Sequence, residues 1–158
     1  MIEIERKFLP SSTFALSEIK KIATKTHTIQ QGYLSSVPER TVRVRAKNDL
    51  AYLTIKGIGS ATGASRLEWE KQIDILDARQ LLDICESGII HKTRYEVPIG
   101  NHVYEIDVFE ASLIGLIIIE IELENEADLF LKPHWVGTEV TGDERYYNSY
   151  ISLNGFGS

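Results

Sequence analysis

Apolar and polar residues alternate one by one along most of the chain. A period of two marks β-strands that bury one face and leave the other polar. In IEIERKF (2–8), Ile2, Ile4 and Phe8 share one face, with Arg6 between them, and Glu3, Glu5 and Lys7 share the other. The pattern recurs in TVRVRA (41–46), AYLTIKG (51–57), RLEWEKQID (66–74), IIHKTRYEV (89–97), HVYEIDVFE (102–110) and LIIIEIELE (116–124). With IQQGYL (29–34) this predicts about eight strands in a mostly antiparallel sheet, with a few helices outside it.

Helical spacing is confined to short stretches. Residues 10–26 have an early proline, Ser/Thr cap candidates and apolar Leu16, Ile19 and Ile22. Residues 77–87 (DARQLLDICES) predict a second helix, capped by Asp77 and stopped by Gly88. Residues 125–131 (NEADLFL) predict a short third. The segment GIGSATGAS (57–65) holds three glycines and reads as a flexible loop, free enough to act as a lid. No repeat, low-complexity tract or linker divides the chain, so one domain over residues 1–158 is expected.

Composition narrows the class. At 43% hydrophobic and 25% charged residues the chain is globular rather than disordered. The net charge of -6 argues against nucleic acid or an anionic membrane as partner. Cys85 is the lone cysteine, which rules out an internal disulfide and permits a reducing compartment. Charge begins at residue 3, and the longest apolar stretch, LIGLIII (113–119), falls far short of the roughly 20 residues that span a bilayer. A cytoplasmic protein is the expectation. Exposed strand edges would favour a homodimer, although closing the sheet removes most edges.

The polar faces are unusual in sign. Arg43 and Arg45 share one strand face and Lys56 the next; Glu68 and Glu70, Glu105 and Asp107, and Glu120 and Glu122 do the same with acids. Each strand alone would suit a solvated face. Together they suggest a curved sheet with a basic wall and an acidic wall, because like charges in neighbouring positions repel. A closed barrel of about eight strands has interior room for side chains or one small ligand. An interior lined by ions needs partners. An anion against Arg and Lys, with a divalent cation held by carboxylates, is the fuller solution. Carboxylate oxygens without His or Cys select Mg²⁺ or Mn²⁺. His27, His91, His102 and His134 have no metal-ligand spacing. A compact polyanion that travels with Mg²⁺ is a polyphosphate or a nucleoside triphosphate. Glu3 and Glu5 would then face the metal, and Lys7 the phosphate.

EIERK (3–7) resembles the E-x-E-x-K signature of the CYTH family, the triphosphate tunnel metalloenzymes. The resemblance covers nearly the whole chain, through QGYL (31–34), TVRVR (41–45), LTIK (53–56), LEWE (67–70), KTRY (92–95), EIDVF (105–109), IEIELE (119–124) and DERYYN (143–148). It implies an α+β, mainly β fold: an eight-stranded antiparallel closed tunnel binding triphosphate inside, with dependence on Mg²⁺ or Mn²⁺. The triphosphate-binding basic positions it implies are Lys7, Arg43, Arg45, Lys56, Lys92 and Arg94, with Arg145 a further one. The acidic positions are Glu3, Glu5, Glu68, Glu70, Asp107, Glu120 and Glu122, with Glu3, Glu5, Glu120 and Glu122 first as metal ligands. Asp143, Tyr146 and Asn148 match the terminal block, as packing or capping groups or as ligands.

Lys92, two positions from Arg94, is a candidate base, because a cationic neighbour favours the neutral amine. Its rival role is phosphate binding. Tyr33 either orients the attacking water or packs. Three activities recur in this family: inorganic triphosphatase, class IV adenylate cyclase and thiamine triphosphatase. No block suggests an adenine pocket. Trp69 has outer-face parity and Trp135 follows Pro133 in a loop, so neither is well placed for a thiamine cation. Hydrolysis of tripolyphosphate to pyrophosphate and phosphate is therefore expected. A non-catalytic polyphosphate sensor is the rival of another class; it would not need the acidic positions, all of which are present here.

Overall fold

The computed structural model describes residues 1–156. Among them are nine strands: β1 (Ile2–Pro10), β2 (Lys25–Ser35), β3 (Arg40–Lys47), β4 (Leu50–Gly59), β5 (Ser65–Ile73), β6 (Ile90–Ile99), β7 (His102–Phe109), β8 (Ile117–Glu122) and β9 (Val136–Glu139). Three α-helices accompany them: α1 (Leu16–Ile22), α2 (Ile75–Asp83) and α3 (Asn148–Asn154). The sheet runs β5-β4-β3-β2-β6-β7-β8-β1 and closes through a β5–β1 pairing, antiparallel throughout; β9 is appended to β1. The expected eight-stranded tunnel is therefore present, with one extra strand.

Closure is short. Only Ile2↔Leu67, Glu3↔Arg66 and Ile4↔Ser65 join β1 to β5, whereas β1 and β8 pair from Glu5↔Glu122 to Phe8↔Ile119. These registers place Glu3 beside Arg66 and Lys7 beside Glu120 on the interior face.

The barrel is inside-out in polarity, because its apolar cores lie mainly on its outer wall. Phe8, Ile19, Tyr104, Ile106, Ile119, Ile121 and Trp135 pack beneath α1 and the segment before β9. Val44 and Ala51 pack against Ala78 and Leu82 of α2. Burying each such side chain stabilises the fold by about 1.5–3 kcal/mol, which lets the interior remain ionic. The third cluster differs. Ile90, Phe109 and Ile118 have interior parity and pack against Ile151 of α3, so an apolar stopper closes one end of the tunnel.

Several expected elements moved. Residues 10–15 are not helical: Pro10 ends β1, and Ser11 donates to the His134 carbonyl at 2.6 Å instead of capping α1. Residues from Lys25 belong to β2. The cap of α2 is Asp74, which accepts from the Leu76 N–H at 2.7 Å, and not Asp77. Residues 125–131 form no helix. The Asp128 carboxylate holds the N–H groups of Glu124 and Asn125 in a turn. The chain then runs without regular secondary structure to a turn before β9, and Phe130 and Trp135 reach the core. Gly57 and Gly59 lie in β4, so the β4–β5 loop is only residues 60–64.

One glycine sets the position of α3. Gly88 has φ +95°, and a Cβ there would lie 1.6 Å from the Ser152 carbonyl oxygen. The Ser152 hydroxyl also donates to the Gly88 carbonyl at 2.7 Å. We expect Gly88→Ala to cost more than about 2 kcal/mol through backbone strain and the displaced helix. Thermal denaturation would register a Tm at least about 4 °C lower.

Candidate active site

The interior charges surround a cavity of about 230 Å³. Its basic wall comes from β3 and β4, where Arg43, Arg45 and Lys56 project inward. Arg43 Nη2 donates to Thr54 Oγ1 at 3.3 Å, and Arg45 Nη2 reaches Glu70 Oε2 at 3.5 Å. The Nε atoms of both arginines are buried with no partner. Burial, then repulsion from Arg43 and Arg94, pulls Arg45 down to about 10. The wall holds more positive charge than its neighbours neutralise, as an anion site requires. Lys56 is held between Glu3 and Glu68, the latter at 3.1 Å.

The acidic wall comes from β1 and β8. Burial, then the Glu120 charge, raises Glu5, whose nearest cation is Lys7 Nζ at 3.9 Å. Burial, then Glu3 and Glu105, raises Glu122. Glu120 differs: burial opposes its charge, but Lys7 and Arg94 outweigh this and hold it at about 2. Among the described residues, no group of three carboxylate, imidazole or thiolate side chains could by itself hold a metal ion. The donor set nevertheless fits a hard cation. Glu3, Glu5 and Glu122 are oxygen donors; Glu3 is paired with Lys56, whereas Glu5 has only Lys7 at 3.9 Å and Glu122 has no salt-bridge partner among the described residues. Mg²⁺ is commonly held by one or two carboxylates, with phosphate oxygens and waters completing its shell.

A buried network stands behind the cavity surface. Asp107, fully buried, binds Arg94 through two bonds of 2.7 and 2.8 Å and accepts from Lys92 Nζ at 2.6 Å. Burial opposes its charge, yet the two cations hold the carboxyl well below the usual range. Lys92 is 1% exposed. Burial brings its amine down to about 8, Asp107 pulling it back up and Arg94 pushing it further down. Lys92 Nζ also lies 3.2 Å from Asn148 Oδ1 at the start of α3.

Most of the residues singled out in the sequence meet here. Glu3, Glu5, Lys7, Tyr33, Arg43, Arg45, Lys56, Glu68, Glu70, Arg94, Glu120 and Glu122 line the cavity. Lys92 and Asp107 lie one layer behind it. Arg145 does not join them; its side chain is 72% exposed and bonds Asp143 at 2.6 Å outside the tunnel. Thr41, Lys47, Thr54, Arg66 and Ser149 also line the cavity and went unmarked in the sequence. Parity was enough to find four of them, since Thr41 and Lys47 continue the Arg43–Arg45 face, Thr54 shares the Lys56 face and Arg66 the Glu68–Glu70 face. Among the described residues, Tyr33 is the only aromatic lining the cavity. Trp69 lies on the outer wall, and Trp135 is buried edge-on against Tyr104.

A closed antiparallel barrel with oppositely charged interior walls defines a class of tunnel proteins that bind compact anions. Residues 1–149 match the CYTH domain, and the chain belongs to that family. It is 42% identical to an inorganic triphosphatase of Acetivibrio thermocellus over 96% of this chain and 94% of that protein. It is 36% identical to an inorganic triphosphatase of Nitrosomonas europaea over 98% and 99% of the two chains. The crystal structure of the inorganic triphosphatase NE1496 superposes with a TM-score of 0.64 at 32% identity, covering 96% of this chain and 94% of that one. Among the described residues no helix is long and apolar enough to cross a membrane.

Proposed function

We propose that the chain hydrolyses inorganic triphosphate to pyrophosphate and phosphate, with Mg²⁺ or Mn²⁺ as cofactor. The observation that carries this reading is the pair of buried, unpartnered Arg43 and Arg45 Nε donors in a small cavity almost free of aromatic surface. At about 230 Å³ the cavity is smaller than the roughly 300–1,000 Å³ of ordinary small-molecule sites, which favours a bare polyanion. The activity named for the two relatives supports the same substrate.

Phosphoryl transfer rests on positioning and charge neutralisation. Arg43, Arg45, Lys56, Lys7 and Arg94 hold the phosphates. A divalent cation bound by Glu3, Glu5 and Glu122 would neutralise phosphate charge and polarise a phosphoryl oxygen. Tyr33 orients a water against the terminal phosphorus. Lys92 accepts the water's proton through one bridging water, the bridging P–O bond breaks, and pyrophosphate leaves.

The sign of the pH dependence follows. The neutral amine is the active form, and Lys92 sits at about 8, so kcat/KM of the free enzyme rises with pH up to about 8. In Lys92→Arg the guanidinium stays protonated, and that limb is expected to vanish along with most of the activity. Chelation with EDTA is expected to abolish turnover, and Mg²⁺ or Mn²⁺ to restore it. A pH–rate series on both proteins checks the first outcome and metal add-back the second.

A second reading is favoured by one feature. A groove of about 710 Å³ shares Thr41, Arg66 and Ser149 with the charged cavity and adds Ile58, Tyr147, Tyr150 and Leu153. It has room and apolar surface for the organic part of a nucleoside or thiamine triphosphate. Initial rates on tripolyphosphate, ATP, thiamine triphosphate and pyrophosphate separate the readings. Preference for tripolyphosphate supports the first. Preference for ATP, above all with cyclic AMP as product, overturns it in favour of the second.

A further inference from the structure

Asn148 opens α3 and also lines the charged cavity. Its Oδ1 lies 3.2 Å from Lys92 Nζ and 3.1 Å from Gln31 Nε2. Both neighbours are donors, and an ammonium offers no lone pair, so the atom facing them must be the amide oxygen. This fixes the flip of the amide. One oxygen takes two donors, so the –NH₂ group points away from both. Among the described residues that –NH₂ donates to no protein acceptor within hydrogen-bond distance, whereas the oxygen is doubly engaged. The donors around the cavity are otherwise mainly cationic, so a neutral double donor there is distinct in chemistry.

The geometry points to Asn148 as a bridging residue. Its oxygen fixes Lys92 and Gln31, and its –NH₂ donates to a phosphate oxygen of the bound triphosphate. This rests on the triphosphatase reading. It makes α3 part of the site rather than only a stopper. The same helix is anchored by Ile151 in the apolar cluster and by Ser152 on Gly88, so the amide is held from behind by rigid packing. Seating the substrate would then tighten the grip on Lys92, because a donor polarised by a phosphate oxygen belongs to an amide whose oxygen becomes a stronger acceptor.

Asn148→Asp and Asn148→Ala separate the two halves of the bridge. The aspartate keeps an oxygen for Lys92 and Gln31 but presents a second oxygen to the phosphate in place of –NH₂. A hydrogen bond to a charged group is worth about 1.5–3 kcal/mol, or about 10- to 100-fold in affinity. We expect Asn148→Asp to weaken tripolyphosphate binding, measured by calorimetry without metal so that no turnover intervenes, by at least about 10-fold. Its Tm should stay near the wild-type value. Asn148→Ala is expected to weaken binding similarly and also to lower kcat, because Lys92 loses an anchor. Asn148→Gln, which carries the same two groups, is expected to recover part of the affinity lost in the alanine variant.

Wild-type affinity in the aspartate variant would overturn the phosphate contact. Equal losses of kcat in all three variants, with unchanged affinity, would reduce Asn148 to a packing residue and overturn the proposal. Failure of the triphosphatase reading looks different. The wild-type protein would then bind or turn over tripolyphosphate no better than pyrophosphate, whatever stands at position 148.

Discussion

Arg45→Met is expected to give a protein that melts no lower than wild type and hydrolyses tripolyphosphate about 10²- to 10³-fold more slowly, the loss typical of removing one preorganised donor to a developing anion. The two effects share one cause. Arg45 is partly buried beside Arg43 and Arg94, its side chain 12% exposed, with its Nε buried and unpartnered and Glu70 only at 3.5 Å. In the free protein those cations repel one another, which is why burial and its neighbours bring Arg45 down to about 10. Methionine retains the aliphatic stem and removes the charge, so the empty tunnel relaxes. The bound polyanion loses a donor that nothing else replaces. Thermal melts and steady-state kinetics on the one variant measure both. A variant that melts well below wild type would mean that Arg45 is structural. Unchanged kcat/KM would remove the basic wall from the function.

The opposite balance is expected at Asp107. Asp107→Asn leaves Lys92 and Arg94 buried without their shared anion. Removing one partner of a buried ion pair destabilises by about 3–5 kcal/mol, which in a chain of this length lowers Tm by roughly 6–20 °C. The pH dependence has a definite sign. The folded-state carboxyl lies well below its ordinary value, so its stabilisation is complete above about pH 4 and is lost as pH falls further. The gap between variant and wild type should therefore be full at neutral pH and shrink in acid. Asp107 also supports the charge of Lys92, so the variant's pH–rate limb should move below about 8 if enough folded protein remains. Melting curves at several pH values test this; a gap independent of pH would contradict the ion-pair account.

The strands and the sign of each interior face were legible because a period of two survives any tertiary context. Glu3, Arg43, Arg94 and Glu122 could be placed facing inward from parity alone. Depth was not legible. Parity puts Lys92 and Asp107 on the same face as Arg94, but only the β6–β7 register and the approach of α3 put them behind the cavity wall. Parity also leaves open which end of the tunnel is stopped. Ile90, Phe109 and Ile118 share the interior face with charged residues, and Leu113, Leu116 and, from the far end of the chain, Ile151 turn them into a core. At 125–131 the expected helix is replaced by a local turn, in which the Asp128 side chain accepts the Glu124 and Asn125 N–H groups. Arg145 carried the right charge in the right block, but Asp143 two residues earlier holds it outside.

The central claim is that the charged tunnel cleaves inorganic triphosphate. Its most direct test is ³¹P NMR of tripolyphosphate incubated with the purified protein and Mg²⁺. The account predicts that the tripolyphosphate resonances give way to pyrophosphate and phosphate in equal amounts, that pyrophosphate then persists, and that Arg45→Met leaves the spectrum almost unchanged over the same time. Intact tripolyphosphate beside folded wild-type protein, with Mg²⁺ or Mn²⁺ present, would contradict it.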